Sequence, residues 1–383
     1  MNIEYVARHE GEAEMTTAPT FIDSVTKQTH SLSEPLWRAP NGNPLLITEL
    51  PGITRAEIDV TNRSIWRYAK SLPVQIEHPI TLGEGCTPLL GSEIDGHDFH
   101  LKLEWFSPTG SFKDRGASVL MSYLRQLGIT KVVEDSSGNA GAAISAYGAA
   151  AGMDVTILVP SYTQSTKVTQ SRAYGSEVVL VPGEREDTAT AAIKMADDVF
   201  YASHNWHPMF LQGTKSLGYE IWEDLGFSVP DNIVIPSSEG SGLLGCYIAF
   251  KELMASGETD RMPRLFASQP ENCATLHHAV HGTRQERYLP TVAEGTAVKS
   301  PTRLQSMVQA VQQTNGGTVA ISEDDIISAS KRLAGAGILT EPSSAHAWAG
   351  AKSLIESSQI SRSDRTVAIL TGTGLKAQSI YAE

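Results

Sequence analysis

The sequence predicts an α/β protein made of two doubly wound lobes, and three observations carry that prediction. Short β-branched runs, apolar throughout, alternate with alanine-rich or amphipathic stretches from about His97 onward. Glycines concentrate in the turns after those runs. At 383 residues the chain exceeds a single domain of roughly 150 residues. Strands apolar on both faces belong in a parallel sheet covered by helices on each side, and such sheets bind ligands at their carboxyl ends. A ligand cleft between the lobes follows.

Taken in order, residues 1–75 are polar, proline-dotted and weakly periodic, and read as an N-terminal extension anchored by Trp37 and Trp66. Residues 76–106 begin the larger lobe. KVVED, NAGAAISAYGAAAG, DVTILVP, a polar helix and SEVVLVP spell β-α-β-α-β, which makes 107–205 a smaller, mobile lobe. NIVIP, GLLGCYIAFKELMASG, RLFASQP and TVAILTGTG repeat the rhythm, so 206–383 return to the larger lobe. Helix punctuation agrees. Leu120, Tyr123, Leu124 and Leu127 recur at helical spacing before Gly128, and Ser322 with Asp325 reads as a capping box.

Composition excludes several classes. With 30 Lys plus Arg against 43 Asp plus Glu, the net charge is −13, which gives no footprint for nucleic acid or for an anionic membrane surface. Cys86, Cys246 and Cys273 are too scattered for a disulfide scaffold or a thiolate zinc site. The opening MNIEYVARHEGEAEMTTAPT fits neither a secretory signal nor an anchor, and no stretch approaches the ~18 apolar residues of a spanning helix. A cytoplasmic protein is expected, and any anionic ligand must be held locally.

Four segments carry chemistry. In SPTGSFKDRG, Lys113 ends a turn at a helix start, beside Arg115; the helix dipole and the guanidinium both disfavour an ammonium, and a neutral amine suits Schiff-base chemistry. In SSGNAG, the turn Ser136, Ser137, Gly138 opens a helix with Asn139 and Ala140, an arrangement that holds a carboxylate through backbone N–H groups or simply caps the helix. In SSEGSGLLG, Gly240, Gly242 and Gly245 spell G-x-G-x-x-G, with Glu271 at the end of the next strand. That loop reads either as a dinucleotide site of an NAD-dependent oxidoreductase or as a cup for one phosphate, with Ser238 and Ser241 as donors. Glu239 opposes an anion there unless its side chain turns away. In TGTGLK, Thr371 places an uncharged hydroxyl at a strand's carboxyl end.

In this order, and with TLGEGCTPLL and GTKSLGYEI, these segments resemble the threonine synthase and serine/threonine dehydratase family of pyridoxal-phosphate enzymes, over about Thr81 to Lys376. The resemblance implies a tryptophan synthase beta-like fold with the cofactor, pyridoxal 5'-phosphate, in the cleft, and usually a homodimer. It implies Lys113 as the Schiff-base lysine with Phe112 beside the ring, and Asn139 as donor to the cofactor's 3-hydroxyl. It further implies Ser238, Glu239, Gly240, Ser241 and Gly242 as the phosphate cup, Thr371 as partner of the pyridine nitrogen, and the loop Ser136 to Ala140 as holder of the substrate carboxylate. Glu341 and Ser343 match a similar EP-S-A stretch that faces the cofactor.

The pattern also departs from the family. Where threonine synthases carry a segment like NSxNPxRLxGQK, this chain has HNWHPMFLQGTK, with His204 at an asparagine position and Phe210 at the arginine position. A phosphate pocket without its arginine loses its strongest contact, unless Lys167, Arg172 or the histidines compensate. The expectation is therefore a lyase that removes the α-proton of a small L-amino acid and eliminates a carbon-oxygen or carbon-nitrogen bond, with His204 near the substrate. True threonine synthase, or another replacement synthase, is the alternative. His277-His278-x-x-His281 has ligand spacing without the glutamate of H-E-x-x-H, so no metal is expected there.

Overall fold

The computed structural model describes residues 18–94 and 96–382. The opening segment read for a leader lies almost wholly outside them. Three short strands come first, β1 (Thr20–Asp23), β2 (Thr29–Ser31) and β3 (Leu45–Ile47), in an antiparallel sheet of order β2-β1-β3. The extension is thus structured, and its Phe21, Leu32, Ala39 and Leu45 lie in the smaller lobe's core. Strands of three or four residues are too short to leave a visible period. Trp37 packs edge-on against Tyr201 and Trp206, while the Trp66 indole N–H donates to Ser118 Oγ at 3.0 Å.

Next, β4 (Leu89–Ile94) and β5 (His97–Leu103) form a hairpin at one edge of the larger sheet. The chain then crosses to the smaller lobe through α1 (Lys113–Gln126), β6 (Lys131–Glu134), α2 (Asn139–Ala151), β7 (Asp154–Pro160), α3 (Thr169–Ala173), β8 (Glu177–Val181), α4 (Arg185–Met195) and β9 (Phe200–Tyr201). Its sheet is parallel, in the order β8-β7-β6-β9. Return follows through α5 (Pro208–Thr214) and α6 (Ser216–Asp224). Met209 and Phe210 belong to the smaller core and Leu211 and Leu217 to the larger, so the crossing falls within α5.

The larger lobe is completed by β10 (Asn232–Pro236), α7 (Ser241–Ala255), β11 (Arg264–Pro270), α8 (Thr275–Val280), α9 (Leu304–Gln313), β12 (Gly317–Ile321), α10 (Glu323–Gly335), α11 (Pro342–Glu356) and β13 (Thr366–Leu370). Its sheet runs β12-β11-β10-β13-β5-β4, parallel except at the β4 edge. Every residue of β10 and β13 is buried, as their unbroken apolar sequences require. Of the expected capping box only half forms: Ser322 Oγ accepts from Asp325 N–H at 3.2 Å, but the Asp325 carboxylate takes the serine hydroxyl at 2.6 Å instead of reaching back to the backbone. A one-carbon-shorter acid in the glutamate position accounts for this.

The topology brings the chemical segments to one place. The turns after β6, β10 and β13 all open at strand carboxyl ends. The turn before α1 is tied to the last of these, with Phe112 N–H donating to the Thr371 carbonyl and Thr373 N–H to the Gly110 carbonyl, each at 3.0 Å.

Candidate active site

Lys113 is the first residue of α1, preceded by a turn in which Gly110 takes a φ of +81°. Its amine donates to Ser241 Oγ, 3.1 Å away at the start of α7. Burial pushes the amine down to about 8, against the pull of the Glu239, Glu134 and Glu341 carboxylates. The cause differs from the sequence expectation in one respect. Arg115 does not face the amine: its guanidinium is buried between Glu104, at 2.7 Å, and Glu220, at 2.9 Å. Two positions further along a helix is another face.

The larger lobe supplies one wall. Gly240, at a φ of +83°, caps α7, and a β-carbon there would strike Met307 Sδ at 2.2 Å. Gly242 lies under the Phe112 ring, which a β-carbon would touch at 3.4 Å. Gly245 has a different purpose, since a β-carbon there would meet the Thr214 backbone at 2.7 Å, so it lets α7 pack closely. Glu239 turns its carboxylate onto Thr302 N–H at 2.9 Å, and burial raises its pKa. Ser238, half-buried, lies in the same turn. Thr371 Oγ1 pairs with Ser344 Oγ at 2.8 Å, two hydroxyls with no carboxylate between them. Ser343 serves a local role, accepting from Gly295 N–H at 2.9 Å.

The smaller lobe supplies the other wall. Ser136 Oγ accepts from Gly138 N–H at 3.2 Å, Ser137 is half-buried, and Ala140 is buried. Asn139 reaches across the cleft: its amide donates to both Glu341 oxygens, at 3.0 and 3.2 Å, and its carbonyl accepts from Lys376 at 2.9 Å. His204 lies deeper. Its Nδ1 is 2.8 Å from Glu134 Oε1, its backbone N–H donates to Glu134 Oε2 at 3.2 Å, and its ring meets Phe210 edge-on at 5.8 Å. Burial drives the imidazole pKa well below its ordinary value, with Lys113 adding to the effect. Asp135 pairs with Arg185 at 2.7 Å.

Glu134 and Asp135 were missed by sequence reasoning, although two acids ending an apolar strand directly before SSGNAG were a visible signal. Elsewhere His277 bonds Thr318, His278 bonds Thr283, and His281 Nδ1 lies 2.8 Å from the His277 carbonyl. No group of three or more potential metal ligands gathers among the described residues. Nor, among them, is any helix long and apolar enough to cross a membrane.

Residues 80–372 match the family model described as pyridoxal-phosphate dependent enzyme. The chain belongs to that family. Threonine synthase from Methanosarcina acetivorans is 34% identical over 82% of this chain and 80% of its own length. That from Methanocaldococcus jannaschii is 32% identical over 82% of this chain and 80% of its own length. Among solved structures, the processed form of threonine deaminase isoform 2 from Solanum lycopersicum superposes with a TM-score of 0.65 at 26% identity, covering 77% of this chain and 86% of that one.

Membership in this pyridoxal-phosphate-dependent family corrects the dinucleotide alternative, and Gly245 shows why the motif misled: its third glycine answers helix packing. The donor set fits the cofactor. A buried amine at about 8 stands beside a glycine turn whose glutamate is spent on Thr302. The Phe112 ring neighbours Gly242 of that turn, and the Phe112 N–H donates at 3.0 Å to the carbonyl of Thr371, whose hydroxyl pairs with Ser344. At Gly138 a β-carbon would meet nothing nearer than Ser136 Oγ at 3.9 Å, which leaves that backbone open to a ligand.

Proposed function

We propose that this enzyme acts on a small L-amino acid by removing its α-proton and expelling a substituent further along the side chain, the unsaturated remainder then being hydrolysed by water to a keto acid and ammonia. The observation that carries this reading is the Lys113 amine, held at about 8 by burial at the mouth of the α7 turn. Pyridoxal phosphate, when bound, supplies the electron sink that acidifies the α-proton. Lys113 takes that proton as a base poised near neutral pH. Ser238 to Gly242 hold the cofactor phosphate through backbone N–H groups and the α7 dipole. Phe112 flanks the ring, and Asn139 donates to the 3-hydroxyl once freed from Glu341. Thr371 offers the ring nitrogen a hydroxyl and no charge, which favours elimination. Ser136 to Ala140 receive the substrate carboxylate at the start of α2.

A second reading, threonine synthase, draws support from the relatives that carry that name at 34% and 32% identity. Against it stand the local charges. Phe210 replaces the arginine, His204 and His207 are both held neutral by burial, and Lys167 is engaged by Glu294. Cofactor-loaded enzyme in heavy water, offered L-serine, L-threonine, O-phospho-L-homoserine and L-2,3-diaminopropionate, separates the readings. The expected result is loss of an α-proton signal by NMR together with keto acid. Threonine and phosphate from O-phosphohomoserine would establish the second reading, and no exchange with any amino acid would overturn both.

A further inference from the structure

Resting on the reading of Asn139 as a donor to the cofactor's 3-hydroxyl oxygen, the contacts of its side chain decide which edge of the amide faces the cofactor. One edge of a primary amide only donates and the other only accepts, and a half-turn about the last side-chain bond exchanges them. Two residues of the larger lobe fix that turn in Asn139. Lys376 Nζ stands 2.9 Å from Oδ1, and because an ammonium can only donate, the carbonyl edge must face it. Glu341 takes the N–H edge, at 3.0 and 3.2 Å.

The two neighbours differ in what a bound cofactor does to them. Glu341 occupies the very edge the cofactor needs. Lys376 holds the opposite edge and keeps it while the N–H edge is handed over. It is seated for that purpose. It ends the short 3-10 turn Gly374–Lys376, and the preceding Thr373 N–H is tied to the Gly110 carbonyl at 3.0 Å. Its stem crosses the Gly110 turn that leads into Lys113, where a β-carbon would lie 3.6 Å from Lys376 Cε. We infer that Lys376 is a positioning residue: held on the Asn139 carbonyl, it keeps the amide N–H edge toward the cofactor's 3-oxygen and so favours that oxygen in its ionised form. An N–H donor stabilises the anion, whereas a carbonyl edge would accept from the hydroxyl and favour the neutral form.

The test is a titration of cofactor-free enzyme with pyridoxal 5'-phosphate at one fixed pH, reading the dissociation constant and the absorbance band of the bound cofactor. Asn139→Ala should weaken binding about tenfold, as loss of one hydrogen bond to a charged group implies, and move the band toward the ultraviolet, where the neutral-oxygen form absorbs. Lys376→Met should move both readouts the same way by less, about threefold in binding, because the amide is freed but not removed. Lys376→Arg keeps an obligatory donor and should retain the wild-type band. In the double variant the Lys376→Met change should add nothing to Asn139→Ala, since it acts through the amide. Asn139→Leu, similar in shape with neither polar edge, serves the same cycle should Asn139→Ala fail to fold. A wild-type constant and band in Lys376→Met, or a Lys376→Met effect undiminished without Asn139, overturns the inference and leaves Asn139 as the donor. An Asn139 variant that binds and absorbs like wild type overturns that reading of Asn139 and the inference with it.

Discussion

Two buried clusters of charge begin two residues apart on α1 and behave oppositely. Around Arg115, Glu104 and Glu220 form ion pairs with the guanidinium, and Lys102 adds its amine to Glu220 at 2.7 Å and to Asp224 at 2.6 Å. Against the cost of burial, these carboxylates raise the pKa of Lys102 and Arg115, and the two cations hold that of Glu220 well below the ordinary range. Around Lys113 the acids are spent elsewhere: Glu239 on Thr302, Glu341 on Asn139 and Glu134 on His204. Burial therefore wins and the amine falls to about 8. Burial is common to both clusters. Direct partners decide whether a cation is locked or made reactive.

The largest effect that sharpens this contrast is on turnover. Lys113→Ala should lower the rate on whichever amino acid the exchange assay identifies by roughly a thousandfold or more, since a positioned base is lost, with little change in thermal unfolding. Unfolding at a much lower temperature would make Lys113 a structural residue like Arg115. The next effect belongs to the matched cluster. Glu220→Gln leaves Arg115 and Lys102 short of a buried counter-charge and should cost about 3–5 kcal/mol in denaturant unfolding.

The smallest effect is a shift on the pH axis. In the cofactor-free protein, acylation of Lys113 should reach half its limiting rate near pH 8, the value to which burial brings the amine. Peptide mapping by mass spectrometry would follow it, and a half-point near that of exposed lysines would remove the distinction. The stability signs follow. Lys113 has a folded pKa below its unfolded 10.5, so its burial penalty is fully present below about pH 8 and is relieved as pH rises from there toward 10.5. Lys102, with its pKa raised, contributes stability that is lost only as pH passes above its unfolded value.

Much of this was legible in the chain. Unbroken apolar runs such as NIVIP and TVAIL foretold the fully buried strands β10 and β13, and the glycine and serine turns after them foretold where the site opens. Lys113 could be picked out because a turn and a helix start bracket it. The β1–β3 sheet was not legible, because its strands are shorter than any period they could display. Arg115 was assigned the wrong role because sequence proximity says nothing about which face of a helix a side chain occupies.

Sequence alone settled the parallel α/β architecture and the order of the chemical segments, since hydrophobic pattern and turn residues are local properties that each stretch carries with it. Tertiary structure decided the electrostatics. Which acid meets which cation depends on packing between residues as far apart as Asn139 and Glu341 or Lys102 and Glu220. A pKa is set by distance, burial and partners in space, none of which one-dimensional spacing encodes.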